Sequence, residues 1–314
     1  MRAMVTGGAG CIGSELVERL LKEGHEVVVY DNFSTGKEEH IEAFSSNKKL
    51  HIINGDILDL EKLTASMNNI DVIFHLAAYS TTKFQEGDPT DTALKNNIIG
   101  TYNVLEAMRI NEVKNIIFTS SQAVYGEGKK AFSEESQLNP ISFYGASKAA
   151  GEQFIRGFCS SYGMRSWIFR FANVVGGKSR KSGGNVITDF VAKLRKNPAE
   201  LEVLGDGTQE KSYLTIDDCV DAILFCFAKS KENVNVFNIA STDTIKVADI
   251  ASIVIAEMKL KAAIRYTGGD RGWKGDVPYT RLDTSKITKL GWKARFSSGD
   301  SIRLAARASA KNVF

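Results

Sequence analysis

The chain has 314 residues, 43% of them apolar, and carries 40 Lys and Arg against 37 Asp and Glu for a net charge of +3. That is long and apolar enough for a large core divided into two lobes, and the near-balanced charge gives no nucleic-acid partner to expect. No apolar run approaches membrane length and the chain opens on a predicted strand instead of a signal peptide, so no membrane association and a cytoplasmic location are expected.

The first element is the short strand Met4-Val5-Thr6, which runs into Gly7, Gly10 and Gly13 and then a helix with Ile12, Leu16, Val17, Leu20 and Leu21 on one face. Glycines at such a junction permit a tight turn and close backbone approach to a pyrophosphate. The helix N-terminus adds free amides and a positive dipole end. Eighteen residues past Gly13, after Val27-Val28-Val29-Tyr30, stands Asp31. An acid there accepts hydrogen bonds from the adenosine ribose and repels a 2′-phosphate, which predicts NAD over NADP.

Further strands are predicted at 50–53, 72–76, 115–119 and 166–170, with helices near 59–67, 91–110 and 144–162. Near-continuous apolar strands alternating with helices specify an α/β fold, a Rossmann-type doubly wound parallel sheet covered on both faces. Ligands in such sheets sit beyond the carboxyl ends of the strands, where Gly7, Asp31, Asp56, Ala77, Ser121 and Asn173 fall.

Ser120-Ser121-Gln122-Ala123-Val124-Tyr125-Gly126 follows an apolar strand, and downstream Tyr144-Gly145-Ala146-Ser147-Lys148 sets a phenol and an ammonium one helical turn apart on one face. A charged Lys beside a phenol is expected to lower its pKa toward neutrality and make Tyr144 a proton acceptor. After Asn173, residues 176–184 read as a Gly-, Ser- and Lys-rich loop, mobile until substrate binds. Its Lys178-Ser179-Arg180-Lys181 cluster is either a solvated surface or an attractor for a diphosphate. A helix at 185–197, a strand at 201–204, a helix capped by Asp217 and running to about 229, and a strand at 236–239 follow. Helices at 246–259, 284–290 and 300–312 complete the second lobe. Cys11, Cys159, Cys219 and Cys226 lack zinc-like spacing and the four His form no ligand pair, so reduced thiols and no metal are expected.

Several motifs occur in the order of a known family: Thr6-Gly7-Gly8-Ala9-Gly10-Cys11-Ile12-Gly13, Asp31-Asn32-Phe33-Ser34-Thr35-Gly36, Gly55-Asp56-Ile57, His75-Leu76-Ala77-Ala78 and Asn97-Ile98-Ile99-Gly100-Thr101. The Ser121 and Tyr144/Lys148 segments, Arg170-Phe171-Ala172-Asn173 and Gly272-Trp273-Lys274-Gly275-Asp276-Val277-Pro278 continue the series. Over nearly its whole length the chain resembles the extended short-chain dehydrogenases/reductases, in their nucleotide-sugar epimerase branch. The resemblance implies NAD-dependent 4-epimerisation of a UDP-sugar, UDP-glucose/UDP-galactose first, through a transient 4-keto intermediate. It leaves open an N-acetylhexosamine or uronic acid as the sugar, and a net NAD-dependent dehydrogenase. It implies an NAD-binding domain of residues 1–172 plus 212–239 and a sugar-nucleotide domain of 173–211 plus 240–314. A homodimer joined through 91–110 and 144–162 is also implied.

Residue by residue, the resemblance has Gly7, Gly10, Cys11 and Ile12 hold the pyrophosphate, and Asp31, Asn32, Ser34, Thr35 and Gly36 surround the adenosine ribose. Asp56 and Ile57 would flank the adenine and Ala77 and Ala78 the nicotinamide side, with Leu76 and Thr119 also lining the cofactor. Asn97 would brace the active-site helix, Ser121 would bond the reacting hydroxyl, Tyr144 would exchange its proton, and Lys148 would bind the nicotinamide ribose. Asn173 would meet the diphosphate, and Val203 is matched to a uracil contact or equally to a plain buried strand.

Departures from the family pattern also inform. Lys211-Ser212 stands where relatives often have Arg-Asp, and Arg271 is the candidate to supply the missing fork. Cys11 replaces a Phe and is expected as a small buried apolar residue; Phe143 replaces a Pro before the catalytic Tyr. Related 4,6-dehydratases place Asp and Glu directly after the hydroxyl residue. Gln122 and Ala123 there cannot exchange protons, which argues against dehydration. Thr280, four places after Asp276, is a small residue where a bulky aromatic would exclude an N-acetyl sugar.

Overall fold

The structure, a computed structural model, describes residues 1–81, 91–176, 185–273 and 275–311. The chain begins β1 (Arg2–Thr6), α1 (Cys11–Lys22), β2 (Glu26–Asp31), β3 (Leu50–Asn54), α2 (Leu60–Ser66), β4 (Val72–His75), then a short α3 (Asp91–Ala93) that passes through a π-helical turn (Leu94–Ile99) into α4 (Gly100–Ile110). It continues β5 (Asn115–Ser121), α5 (Phe143–Tyr162), β6 (Arg165–Phe171), β7 (Asn173–Val175), α6 (Val186–Lys196), β8 (Glu200–Val203), β9 (Glu210–Lys211), β10 (Tyr213–Thr215), α7 (Ile216–Lys229) and β11 (Val234–Ile239). It closes with β12 (Ile245–Lys246), α8 (Val247–Glu257), β13 (Ala263–Tyr266), β14 (Tyr279–Thr280), α9 (Ser285–Leu290) and α10 (Ser298–Lys311).

Seven strands form one parallel sheet in the order β11-β6-β5-β4-β1-β2-β3. This is the expected Rossmann-type arrangement, and the strand order reverses between β1 and β4. Strand side chains alternate between the two faces, and the core divides accordingly. Ala3, Val5, Val27, Val29, Val72 and Phe74 pack with α1 and α7 on one face. Met4, Val28, Tyr30 and Ile73 pack with α2, α4 and α5 on the other. Both faces are buried, which is why these strands read as unbroken apolar runs.

A separate cluster under β8 joins α6, α8 and α10 through Phe190, Leu194, Leu201, Val203, Ile250, Val254 and Ile302. Ile287 and Trp292 pack instead with the α1–α7 face of the main sheet. Two local expectations change, and a third is not described. The helix after β10 is capped by Thr215, whose hydroxyl accepts the Asp218 amide, so Asp217 lies inside the first turn. The predicted 91–110 helix is interrupted by the π-helical turn. The predicted loop at 176–184, with the Lys178–Lys181 cluster, lies outside the described residues apart from Gly176.

Candidate active site

The ends of β1, β2, β4 and β5 build one rim. Gly7 has a φ of 70°, and a Cβ there would fall 2.7 Å from the Ala77 amide nitrogen, so the loop after β1 lies directly on the segment after β4. A Cβ on Gly13 would meet the Gly7 carbonyl oxygen at 2.2 Å. α1 therefore starts flush against the loop, and no side chain caps its N-terminal amides. This bare helix start beside a glycine turn fits a dinucleotide pyrophosphate. Asp31 is buried and braces the loop: its Oδ2 accepts the Ala9 amide at 2.9 Å and its Oδ1 the Phe33 amide at 2.9 Å. Asn32 holds the Ser34 amide and hydroxyl through its Oδ1 and donates to Asp56 at 2.9 Å. Asp56 also accepts the Leu58 amide at 2.9 Å. Gly36 abuts Ala9, and Ile57 is buried against Gly100. The ribose and adenine candidates thus form one hydrogen-bonded edge. Cys11 departs from expectation: it is only partly buried, and its thiol donates to the Gly176 carbonyl at 3.5 Å.

Ser121 closes β5 and accepts the Ala123 amide at 3.2 Å, opening a tight turn over Gln122–Val124. α5 is capped by Ser142, which accepts the Gly145 amide at 3.1 Å. A Cβ on Gly145 would strike the Ala123 carbonyl oxygen at 2.4 Å, so only glycine lets α5 press onto that turn. This contact delivers Tyr144 to Ser121. Lys148, one turn on, is 2% exposed, with its ammonium 4.7 Å above the Phe118 ring and 6.0 Å from the Tyr144 ring centre. Asn97, in the π-helical turn, clasps the Tyr79 backbone at both its amide (2.7 Å) and carbonyl (2.9 Å). It also donates to the Ser147 hydroxyl at 2.8 Å.

The electrostatics reverse one expectation. Burial pushes the Tyr144 phenol up to about 12, and its hydrogen bond with Ser121 only partly offsets this. Burial likewise pushes Lys148 down to about 7, against the pull of Glu152. Spacing alone predicts Coulombic help from Lys148; the geometry adds the desolvation of both groups, which is larger.

Beneath the helix lies a buried pair that went unread in the sequence. Glu152, one turn beyond Lys148 and fully buried, is held by Arg170 at 2.6 Å and accepts from Ser120 at 2.6 Å. Arg170 also donates to Tyr125 at 2.8 Å, which donates to Asn238 at 2.7 Å. A Glu on the same face as Tyr144 and Lys148 was the available signal.

The residues expected to meet a sugar nucleotide are less uniform. Asn173 begins β7, and its side chain donates to the Ser212 carbonyl at 3.2 Å. Lys211 bonds Asp276 at 2.6 Å, and Arg271 bonds Glu127 at 2.5 Å and the Asp276 carbonyl at 3.0 Å. Both cations expected for a diphosphate therefore already hold carboxylates. Val203 has no exposed surface and packs in the second core. Thr280 is 3% exposed and sits beside Lys211 in β14. Leu76, Ala78 and Thr119 all lie at the β4–β5 rim, where Thr119 is buried and donates to the His75 carbonyl at 3.4 Å. Among the described residues no His, Cys, Asp and Glu cluster would hold a metal, the four cysteines are thiols, and no helix is long and apolar enough to cross a membrane.

Known proteins carry the same architecture. The chain is 35% identical over 228 residues to the UDP-glucose 4-epimerase of Mycolicibacterium smegmatis, covering 71% of this chain and 72% of that protein. A crystal structure of a UDP-galactose 4-epimerase superposes with a TM-score of 0.87 at 36% identity, covering all of both chains. The UDP-glucuronic acid 4-epimerase of Bacillus cereus, solved with UDP-glucuronic acid and NAD, gives 0.87 at 28% identity over 99% of each chain. Residues 3–240 match the model of the NAD dependent epimerase/dehydratase family. With the nucleotide loop, the acid at the end of β2 and the Ser/Tyr/Lys set in one crevice, the chain belongs to that family and is an NAD-dependent enzyme of epimerase/dehydratase type.

Proposed function

We propose that this chain interconverts the 4-epimers of a UDP-sugar, with UDP-glucose and UDP-galactose as the primary pair. The observation that carries this reading is the meeting of Ser121, Tyr144 and Lys148 where the end of β5 touches the start of α5, on the rim shared with Gly7 and Ala77. Gly7, Gly10, Cys11 and Ile12 would hold the NAD pyrophosphate, Asp31 and Asn32 its ribose, and Lys148 the nicotinamide ribose. When bound, NAD supplies a hydride acceptor that also returns the hydride, and a positive ring charge.

Tyr144 takes the proton of the sugar 4-hydroxyl as the C4 hydride departs, leaving a 4-keto sugar, and gives the proton back when the hydride returns to the other face. Ser121 bridges to the same oxygen. Because burial holds the phenol near 12, the proton moves only in a site whose positive charge has been completed around it. Asn173, Lys211 and Arg271 would meet the diphosphate, with Asp276 and Glu127 giving way to it. Gln122 and Ala123, in the turn after Ser121, offer no acid or base for dehydration.

The test is incubation of the purified protein with UDP-glucose, UDP-galactose, UDP-N-acetylglucosamine and UDP-glucuronic acid without added reductant. The expected result is the 4-epimer of UDP-glucose with no accumulating NADH. Stoichiometric NADH release from an alcohol would establish the dehydrogenase reading instead. The small Thr280 favours a second activity on the N-acetyl sugar.

A second copy of the chain is the proposed partner, docked on α4 and α5. Tyr102, Phe154 and Tyr162 there are each more than 40% exposed, and a dimer would cover this aromatic face. Four cysteines kept as thiols accord with a reducing, cytoplasmic setting. Sedimentation of wild type as a monomer would end the dimer proposal.

A further inference from the structure

His75 ends β4 directly beside its register partner Thr6 at the end of β1, at the point where the strand order reverses. Its imidazole has no exposed surface and lies 5.7 Å from the Phe118 ring. Both ring nitrogens are engaged: Nδ1 is 2.7 Å from the Thr6 hydroxyl, and Nε2 is 3.0 Å from the Thr101 hydroxyl. A hydroxyl has one proton to give, and Thr101 gives it to the Asn97 carbonyl at 2.6 Å. Thr101 therefore accepts from His75, so Nε2 carries the hydrogen and Nδ1 accepts from Thr6. The Thr6 oxygen receives the Ala77 amide at 3.4 Å.

Every link runs in the same direction, from Ala77 through Thr6, His75 and Thr101 to Asn97. The Asn97 side chain continues to Ser147, which donates to the Tyr144 carbonyl at 2.8 Å. An imidazolium would donate at both nitrogens and reverse the Thr6 link. Burial and then the neighbouring Lys148 push the imidazole down to about 3, in keeping with a neutral ring. An apolar residue would fill the same space without burying two polar atoms, so packing alone does not account for a histidine.

We propose that His75 is a positioning residue: its single neutral tautomer ties the nucleotide loop to the catalytic helix and so fixes where Tyr144 stands relative to the nicotinamide side. The proposal rests on the reading of Tyr144 as proton acceptor given above.

The experiment has two arms on the NAD-loaded protein. In the first, nitrogen-15 NMR, with the His75 signals assigned by their loss in His75→Gln, is expected to show a neutral Nε2–H ring from about pH 5.5 to 8.5. An Nδ1–H or charged ring overturns the proposal. In the second, Thr6→Val and Thr101→Val each cut one link with a group of similar shape. Each is expected to lower kcat for UDP-galactose about tenfold, because small misplacements of reacting groups carry such costs, while KM and bound NAD stay at wild-type values. The double variant should be no slower than the poorer single, since one cut already breaks the chain. Effects that multiply, or a Thr101→Val kcat within about twofold of wild type, overturn it. Should the wild type turn over no UDP-sugar, the functional reading fails alone, and the tautomer still decides the link.

Discussion

The cofactor side of the crevice and the side proposed for the sugar nucleotide are built differently. The first stands on the ends of four strands of a seven-stranded sheet and is aimed by backbone: a glycine pressed onto Ala77, a helix start flush with Gly7, a second glycine against the Ala123 carbonyl. The second stands on two-residue strands, β9, β12 and β14, and is aimed by side chains, with Lys211 on Asp276 and Arg271 on Glu127. Backbone-set geometry leaves little to adjust, while ion-paired geometry can be exchanged for an incoming anion. One side is suited to a resident group, the other to one that comes and goes.

The largest break in that contrast should come from Tyr144→Phe. It deletes a proton acceptor without touching the glycine contacts, so NAD should remain bound while turnover falls about 10³-fold. Activity near wild type in the epimerase assay would remove Tyr144 from the chemistry.

Lys148 probes what the backbone-built side costs. Its folded value near 7 lies below the usual 10.5. Below about pH 7 the folded chain must bury the charge and pays the full penalty. Between there and about 10.5 the unfolded chain binds the extra proton, so stability rises with pH. Lys148→Met should therefore raise the denaturant stability of the cofactor-free protein by a few kcal/mol at neutral pH, with the gain vanishing toward pH 10. A gain that grows with pH would refute this sign.

Next in size, Lys211→Met leaves the buried Asp276 carboxylate unpaired and should cost about 3 kcal/mol of stability. Adding Asp276→Asn should restore much of that stability while leaving the KM for UDP-glucose high, which separates the structural role of the pair from its proposed role toward diphosphate. Recovery of KM together with stability would show that Lys211 does not meet substrate. The smallest effect is on sugar choice: Thr280→Tyr should suppress turnover of UDP-N-acetylglucosamine about tenfold more than that of UDP-glucose. Equal losses, read from parallel progress curves, would take Thr280 out of the sugar site.

The same contrast decides what was readable in the sequence. The glycine turn, Asp31 and the strand ends are local patterns, and unbroken apolar runs and helical spacing locate them. The pairs on the other side join residues 65 and 144 positions apart, which no local pattern displays. Three things escaped for physical reasons. Helix spacing places Tyr144 beside Lys148 but is silent on how deeply both are buried, and burial sets the direction of their shifts. Thr215 outcompetes Asp217 as a cap because β10 delivers its hydroxyl to the Asp218 amide, a matter of strand geometry. The buried Glu152–Arg170 pair escaped because a Glu in an active-site helix reads equally well as surface.

The π-helical turn at Leu94–Ile99 works as a phase shifter. One residue advances an α-helix by about 100°, so the wider turn lets α3 and α4 follow one axis while their side chains fall out of step. Only with that offset does Asn97 face Tyr79 and Ser147 while Val104, Leu105 and Met108 still face the sheet. A single-residue deletion within the turn would leave the fold a regular, better hydrogen-bonded helix and point Asn97 elsewhere. Here the least regular stretch of helix aims the proposed proton acceptor.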